Sequence, residues 1–177
     1  MKAFLFTALF AFAATANVNP SASEFKWTGT KVTGSHYGKV PLQSGSIAEE
    51  NGALKSGEFV INLAGLTVED LQGEYADKLK GHLQSPDFFD TAKHPTAKLV
   101  VKSVKGNKVT GDLTIKGITH PNTFDVKKEG NAYVGKLTFD RAKYDIKYNS
   151  KSFFDPKALG DKMIHDAVTV DFKVVKQ

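Results

Sequence analysis

The stretch Val109-Thr110-Gly111-Asp112-Leu113-Thr114-Ile115-Lys116 changes character at every residue. A period of two puts Val109, Gly111, Leu113 and Ile115 on one face of a strand and Thr110, Asp112, Thr114 and Lys116 on the other. An antiparallel sheet with one covered and one wet side requires this pattern. The rhythm continues on both sides of the stretch. Leu99 and Val101 alternate with lysines, as do Phe124 and Val126 with Asp125 and Lys127. Tyr133, Leu137 and Phe139 form another such row, and Val168, Val170, Phe172 and Val174 a further one. Glu50-Asn51-Gly52, Gly106-Asn107, His120-Pro121-Asn122 and Gly130-Asn131 mark turns between the rows. Many short strands separated in this way predict an all-β chain folded as a sandwich or a closed barrel.

One segment departs from that period. Thr67-Val68-Glu69-Asp70-Leu71 reads as a helix cap with an acidic residue three places on. Leu71, Tyr75, Leu79 and Leu83 then recur every four residues, along one face of a helix weakened by Gly73 and Gly81. Ser85-Pro86-Asp87 is expected to start another turn, with Ser85 as cap, and Phe88-Phe89 follow it. A helical insertion between strands is a natural lid for the open end of a barrel.

The chain has 177 residues, a net charge of +5 and no cysteine. Its length suits one domain. Lacking cysteine, it has no disulfide, thiolate metal site or thiol nucleophile. Of 24 basic residues only Arg141 is an arginine, so the planar forks that read bases and grip phosphates are nearly missing. That argues against nucleic acid as a partner. Lys2, the apolar run from Ala3 to Ala14 and the sequence Ala14-Thr15-Ala16 have the three parts of a secretory signal. They predict cleavage after Ala16, a soluble periplasmic product, a flexible lead-in over 17–23 and a single domain over 24–177.

Five histidines, at 36, 82, 94, 120 and 165, show none of the short spacings of metal motifs, and no metal site is expected. There is no Gly-x-Ser-x-Gly elbow and no glycine-rich phosphate loop. The residues therefore predict a binding protein, not an enzyme, with no catalytic cofactor.

Two longer motifs carry a resemblance. His82-Leu83-Gln84-Ser85-Pro86-Asp87-Phe88-Phe89-Asp90 with His94-Pro95-Thr96-Ala97, and Gly111 to Pro121, resemble signatures of the YceI-like family of exported lipid-binding proteins. Gly34-Ser35-His36-Tyr37-Gly38 and Phe139-Asp140-Arg141 with Tyr144 fall in matching order. His94 stands where an aromatic residue is expected and Asp145 where a glycine is usual. The resemblance implies a lipocalin-like eight-stranded antiparallel barrel, with the helical insertion at its mouth. It also implies a long-chain amphiphile inside: a polyisoprenoid, an isoprenoid quinone or a fatty-acyl compound.

On that reading Trp27, Phe59, Ile61, Leu63, Leu113, Ile115, Leu137, Phe139 and Tyr144 line an apolar channel. Leu79, Leu83, Phe88 and Phe89 close the mouth, and His36, His82 and Arg141 address a polar head group. Arg141 continues the inward series of Tyr133, Leu137 and Phe139. Strict alternation turns it inward, toward a head group or a carboxylate such as Asp87 or Asp90, whereas a bulge or strand end lets it reach solvent. Phe88-Phe89-Asp90 recurs as Phe153-Phe154-Asp155, by chance or as paired aromatic gates. The outward lysines form a solvated face, with weak attraction to anionic membranes as a second role, and a homodimer is left open. The competing classes are a sandwich or filled barrel serving as an interaction or adhesion module, and a lipid hydrolase. A filled barrel packs the inward rows against each other, and a hollow one leaves room between them.

Overall fold

The computed structural model describes residues 14–177. Met1 to Ala13, and with them most of the expected signal, lie outside the described residues. The strands are β1 (Ala14–Asn17), β2 (Glu24–Lys31), β3 (Gly34–Lys39), β4 (Leu42–Glu50) and β5 (Ala53–Asn62), then β6 (Thr96–Lys105), β7 (Lys108–Ile115), β8 (Ile118–Glu129), β9 (Ala132–Asp140) and β10 (Ile164–Val175). Helix α1 (Gly73–Gln84) lies between β5 and β6, and the short α2 (Pro156–Leu159) between β9 and β10. The alternation is realised in β7, where Val109, Gly111, Leu113 and Ile115 are buried and the residues between them are not.

All ten strands belong to one antiparallel sheet, in the order β1-β4-β5-β6-β7-β8-β9-β10-β2-β3, curled around a common core. The expected count of eight is thus replaced by ten. Two local causes account for the difference. Val40 and Pro41 divide one run of extended chain into β3 and β4, because Pro41 has no N–H to donate; Val40 N donates to Phe25 O and Pro41 O accepts from Asn62 N. In addition, β1 adds itself along β4, pairing Ala16 with Ile47 and Asn17 with Ser46.

The segment 17–23, read from sequence as a flexible lead-in, is fastened to both sides of the sheet. Val18 N donates to Gly45 O of β4, and Asn19 N to Val175 O of β10. Gln177 N donates to Asn17 O, and the Ser23 hydroxyl accepts from Val175 N. Val18 itself is buried in the core. Beside this junction Glu49 of β4 gathers Lys176 at 2.9 Å, Lys128 at 3.0 Å and the Tyr133 hydroxyl. Lys176 foremost, then Tyr133, bring the Glu49 carboxyl down to about 2 against the opposing effect of burial, and Lys128 adds to them. Burial, then the Glu49 charge, push the Tyr133 phenol up.

Candidate functional site

Inward rows from the curled sheet enclose a cavity of about 210 Å³ whose open wall is apolar. Its lining includes Trp27, Phe59, Ile61, Leu63, Leu113, Ile115, Leu137 and Phe139, together with Phe25, Phe124, Val126, Val170 and Phe172. Away from the helix the space is narrowed by aromatics: Phe172 stacks on Phe25 at 6.1 Å and meets Phe124 edge to face at 5.8 Å. The Phe172 ring occupies the place above Gly135, where a Cβ would come within 2.5 Å of it. Tyr144 stands apart from the cavity. It is buried behind Phe139, ring centres 5.7 Å apart, and its hydroxyl accepts from Asn122. The row Phe124, Val126, Phe172 belongs to the wall but was read from sequence only as strand, because period two gives a face without telling which residues border empty space.

The segment before helix α1 is tied down more firmly than the helix pattern predicts. Thr67 does not cap a helix. Its N–H donates to Lys39 O, its hydroxyl accepts from Lys39 N, and its carbonyl accepts from the Trp27 indole. Glu69 N adds a bond to Tyr37 O, so this segment runs along the edge of β3. Gly38 allows the approach, since a Cβ there would fall 1.9 Å from Thr67 O. Helix α1 starts only at Gly73, with no side-chain cap, which leaves Leu71 outside it and Tyr75 74% exposed. Leu79 and Leu83 reach the cavity from its last two turns. The expected second helical turn at Ser85 is a hydrogen-bonded loop instead. Ser85 caps the end of α1 by donating to His82 O, and its carbonyl accepts from Phe88 N and Asp90 N. That loop turns Phe88 and Phe89 into the cavity wall.

Polar groups collect at this end. His36 lines the cavity, its Nδ1 2.7 Å from Asp70 Oδ2. Burial raises the Asp70 carboxyl's pKa, but the Tyr37 amide and His36 together outweigh it and hold it below the ordinary value. His82 lies with its ring centre 4.4 Å from Tyr148 and 5.3 Å from Phe88, and its buried Nε2 has no hydrogen-bond partner among the described residues. Arg141 does turn inward and is buried. Its Nε donates to His165 O, Nη1 to Ile146 O and Nη2 to Ile164 O, with Asp166 Oδ1 3.4 Å away. Burial lowers the guanidinium pKa, opposed by the charges of Asp166 and Asp140. The carboxylate facing Arg141 is therefore Asp166, not Asp87 or Asp90. Asp90 pairs with Lys93 at 3.3 Å. Nothing local in the sequence ties Arg141 to Asp166, because η-type turns and a long loop bring them together. Among the described residues no three His, Asp or Glu side chains gather as a metal-ligand group.

Comparison with known proteins agrees with this architecture. A structure of BcnA from Burkholderia cenocepacia superposes with a TM-score of 0.68 at 20% identity, covering 90% of this chain and 99% of that one. A polyisoprenoid binding domain from Saccharophagus degradans, implicated in plant cell wall breakdown, gives 0.62 at 17% identity over 94% and 99%. At these identities the likeness concerns the fold. A UPF0312 protein of Staphylococcus epidermidis is 38% identical over 91 residues, 45% of this chain and 52% of the relative. One from Staphylococcus aureus is 43% identical over 79 residues, 38% and 46% of the two chains. The chain thus spans about half the length of the curated relatives it matches. The profile of the YceI-like domain matches residues 17–176, nearly the whole described chain, and the protein belongs to the YceI-like family.

Proposed function

We propose that the protein is an exported binding protein that holds one long-chain amphiphile, such as a polyisoprenoid, an isoprenoid quinone or a fatty-acyl compound. The observation carrying this reading is the 210 Å³ apolar cavity with the unpartnered His82 Nε2 at its lidded end. Each methylene buried there contributes ~0.8 kcal/mol gross, reduced by association and ordering costs. A tail fits the carbon wall, and a single polar end fits the orphaned imidazole. The Saccharophagus domain described as polyisoprenoid binding supports the same ligand class.

In this reading the sheet works as an eight-stranded barrel. β3 and β4 serve as one bent strand, because β3 pairs with β2 and β4 with β5. The bonds of Val18 and Asn19 to Gly45 and Val175 support closure at the other end. Removal of a leader after Ala16 leaves both residues in place.

Organic extraction of the purified protein followed by mass spectrometry tests the proposal. The expected result is a long-chain lipid with one polar end, close to one per chain. Ile115→Phe and Ala97→Phe, which add bulk to the wall, are expected to lower that stoichiometry or select shorter chains. An extract without lipid, and no uptake of added polyprenol or quinone, would overturn it in favour of an interaction module.

A further inference from the structure

The tripeptide Phe-Phe-Asp occurs twice, and the fold uses the two copies in opposite ways. Phe88 is buried and Phe89 partly so, both against the cavity. Phe153 and Phe154 are 44% and 51% exposed, side by side on the loop between β9 and β10. Adjacent solvent-facing phenylalanines contribute little to folding and are candidates for a contact surface, and two further exposed apolar residues are tied to the same loop. Val32, 47% exposed at the β2–β3 turn, donates its N–H to Met163 O at the far end of the same loop. Tyr148, 40% exposed, links the loop to the lid through the His82 ring.

The loop is held in this outward form. Phe153 N and Phe154 N both donate to the carbonyl of Ser150, which is wholly buried. Ser152 Oγ donates to Asp166 Oδ2 at 2.7 Å, and Ser152 N to Ser150 Oγ. The loop between β9 and β10 is also net positive: five lysines stand there against the three carboxylates of Asp145, Asp155 and Asp161. On the loop, Lys151, Lys157 and Lys162 are exposed and make no ion pair among the described residues. Lys147 lies over the Phe153 ring at 5.3 Å. Lys147 is paired with Asp145 at 2.7 Å, but lysines still outnumber carboxylates around the rings, and apolar rings in such a setting complement an anionic bilayer, whose head groups attract the ammonium groups while the rings enter the acyl boundary.

We propose that the Phe153–Phe154 loop, with Val32, Tyr148 and the lysines around them, is a docking surface for an anionic phospholipid bilayer beside the lidded end of the cavity. It rests on the lipid-binding reading: a carrier exchanging chains with a membrane must present its opening to that membrane. Each lysine at the surface is expected to strengthen partition about fivefold, and high salt to weaken it.

Co-sedimentation of the full chain with vesicles of phosphatidylglycerol and phosphatidylcholine, against phosphatidylcholine alone, tests the surface. Wild type is expected to bind the anionic vesicles, and to be released by high salt. The double variant Phe153→Ser, Phe154→Ser should lose binding tenfold or more, as should the triple variant Lys151→Glu, Lys157→Glu, Lys162→Glu. Both should keep the thermal midpoint and the extractable lipid of wild type. Failure of wild type to bind anionic vesicles, or wild-type binding by the two variants, overturns the proposal. An empty cavity in a wild-type protein that still docks through these residues would instead remove the lipid-binding reading and leave the surface.

Discussion

The guanidinium carbon of Arg141 lies 5.4 Å from the centre of the Phe88 ring, so the buried charge of the scaffold is covered by the residue that plugs the lid. The arginine is tied to three carbonyls at the start of β10 and in the turn after β9. Phe88 therefore has a fixed charge on one side, with the rings of His82 and Phe89 edge-on to it at 5.3 and 5.8 Å. Phe88→Leu keeps the position apolar but removes the ring from the charge and leaves a small gap. It is expected to cost about 1–2 kcal/mol of stability and to speed lipid release by more than that loss explains. Stopped-flow displacement of a fluorescent lipid, set beside the thermal midpoint, measures both. Equal slopes for release and stability would refute the lid role.

His82→Leu separates the polar contact from packing. Removing a buried nitrogen that has no partner is expected to leave the empty protein as stable as wild type, or more so. Affinity for a polar-headed chain should fall up to about tenfold, the weight of one hydrogen bond, while a plain hydrocarbon of equal length binds unchanged. Parallel titrations with the alcohol and the alkane decide it; a uniform change in both would assign His82 to packing alone.

Glu49 makes part of the stability dependent on acid. Its folded pKa of about 2 lies below the ordinary 4.5, so its contribution is complete above about pH 4.5 and is lost as pH falls toward 2. Glu49→Gln is expected to cost on the order of 2 kcal/mol at pH 7. The difference between variant and wild type should shrink through that window, as read by denaturant midpoints at several pH values. A gap that stays constant down to pH 2 would mean that the charge of Glu49 is not what holds the junction.

Two glycines are expected to respond in opposite directions. Gly38→Ala forces a Cβ against the Thr67 carbonyl and separates the lid segment from β3; a loss of about 2–3 kcal/mol and faster amide exchange at Thr67 and Glu69 should follow. Gly81, inside α1, has open space around its missing Cβ. Gly81→Ala should stabilise by about 0.5–1 kcal/mol. Thermal unfolding with hydrogen exchange checks both signs.

Strands β6 to β10 were legible because each carries its own period, but that period did not tell which of the inward residues border the cavity. What escaped depended on distant partners. Thr67 has the local look of a helix cap, yet its hydroxyl serves Lys39, 28 positions away. Tyr75 fits the four-residue stripe, but nothing waits for it at that height of the helix. Alternation left Arg141 a choice between the interior, which it takes, and solvent, and gave no hint of Asp166, which arrives from the opposite end of a long loop. The two Phe-Phe-Asp copies are indistinguishable as sequence. Their opposite fates come from Ser85 at one site and buried Ser150 at the other, whose carbonyls orient the backbone.

The junction of Val18, Asn19 and Ser23 with the end of β10 also governs when the molecule can form. The bond from Val175 to Ser23 spans 152 positions, so a chain emerging from a ribosome or a translocation pore can pair its first residues with β4 early but cannot complete this junction until nearly the last residues follow. Contacts of such separation slow folding, since a long loop must close before they contribute. The earlier hairpins, β6 through β9, assemble from neighbours and need no such wait. Until β10 is made, β2 and β9 lack the strand that joins them, and the apolar rows they carry have no closed core to enter.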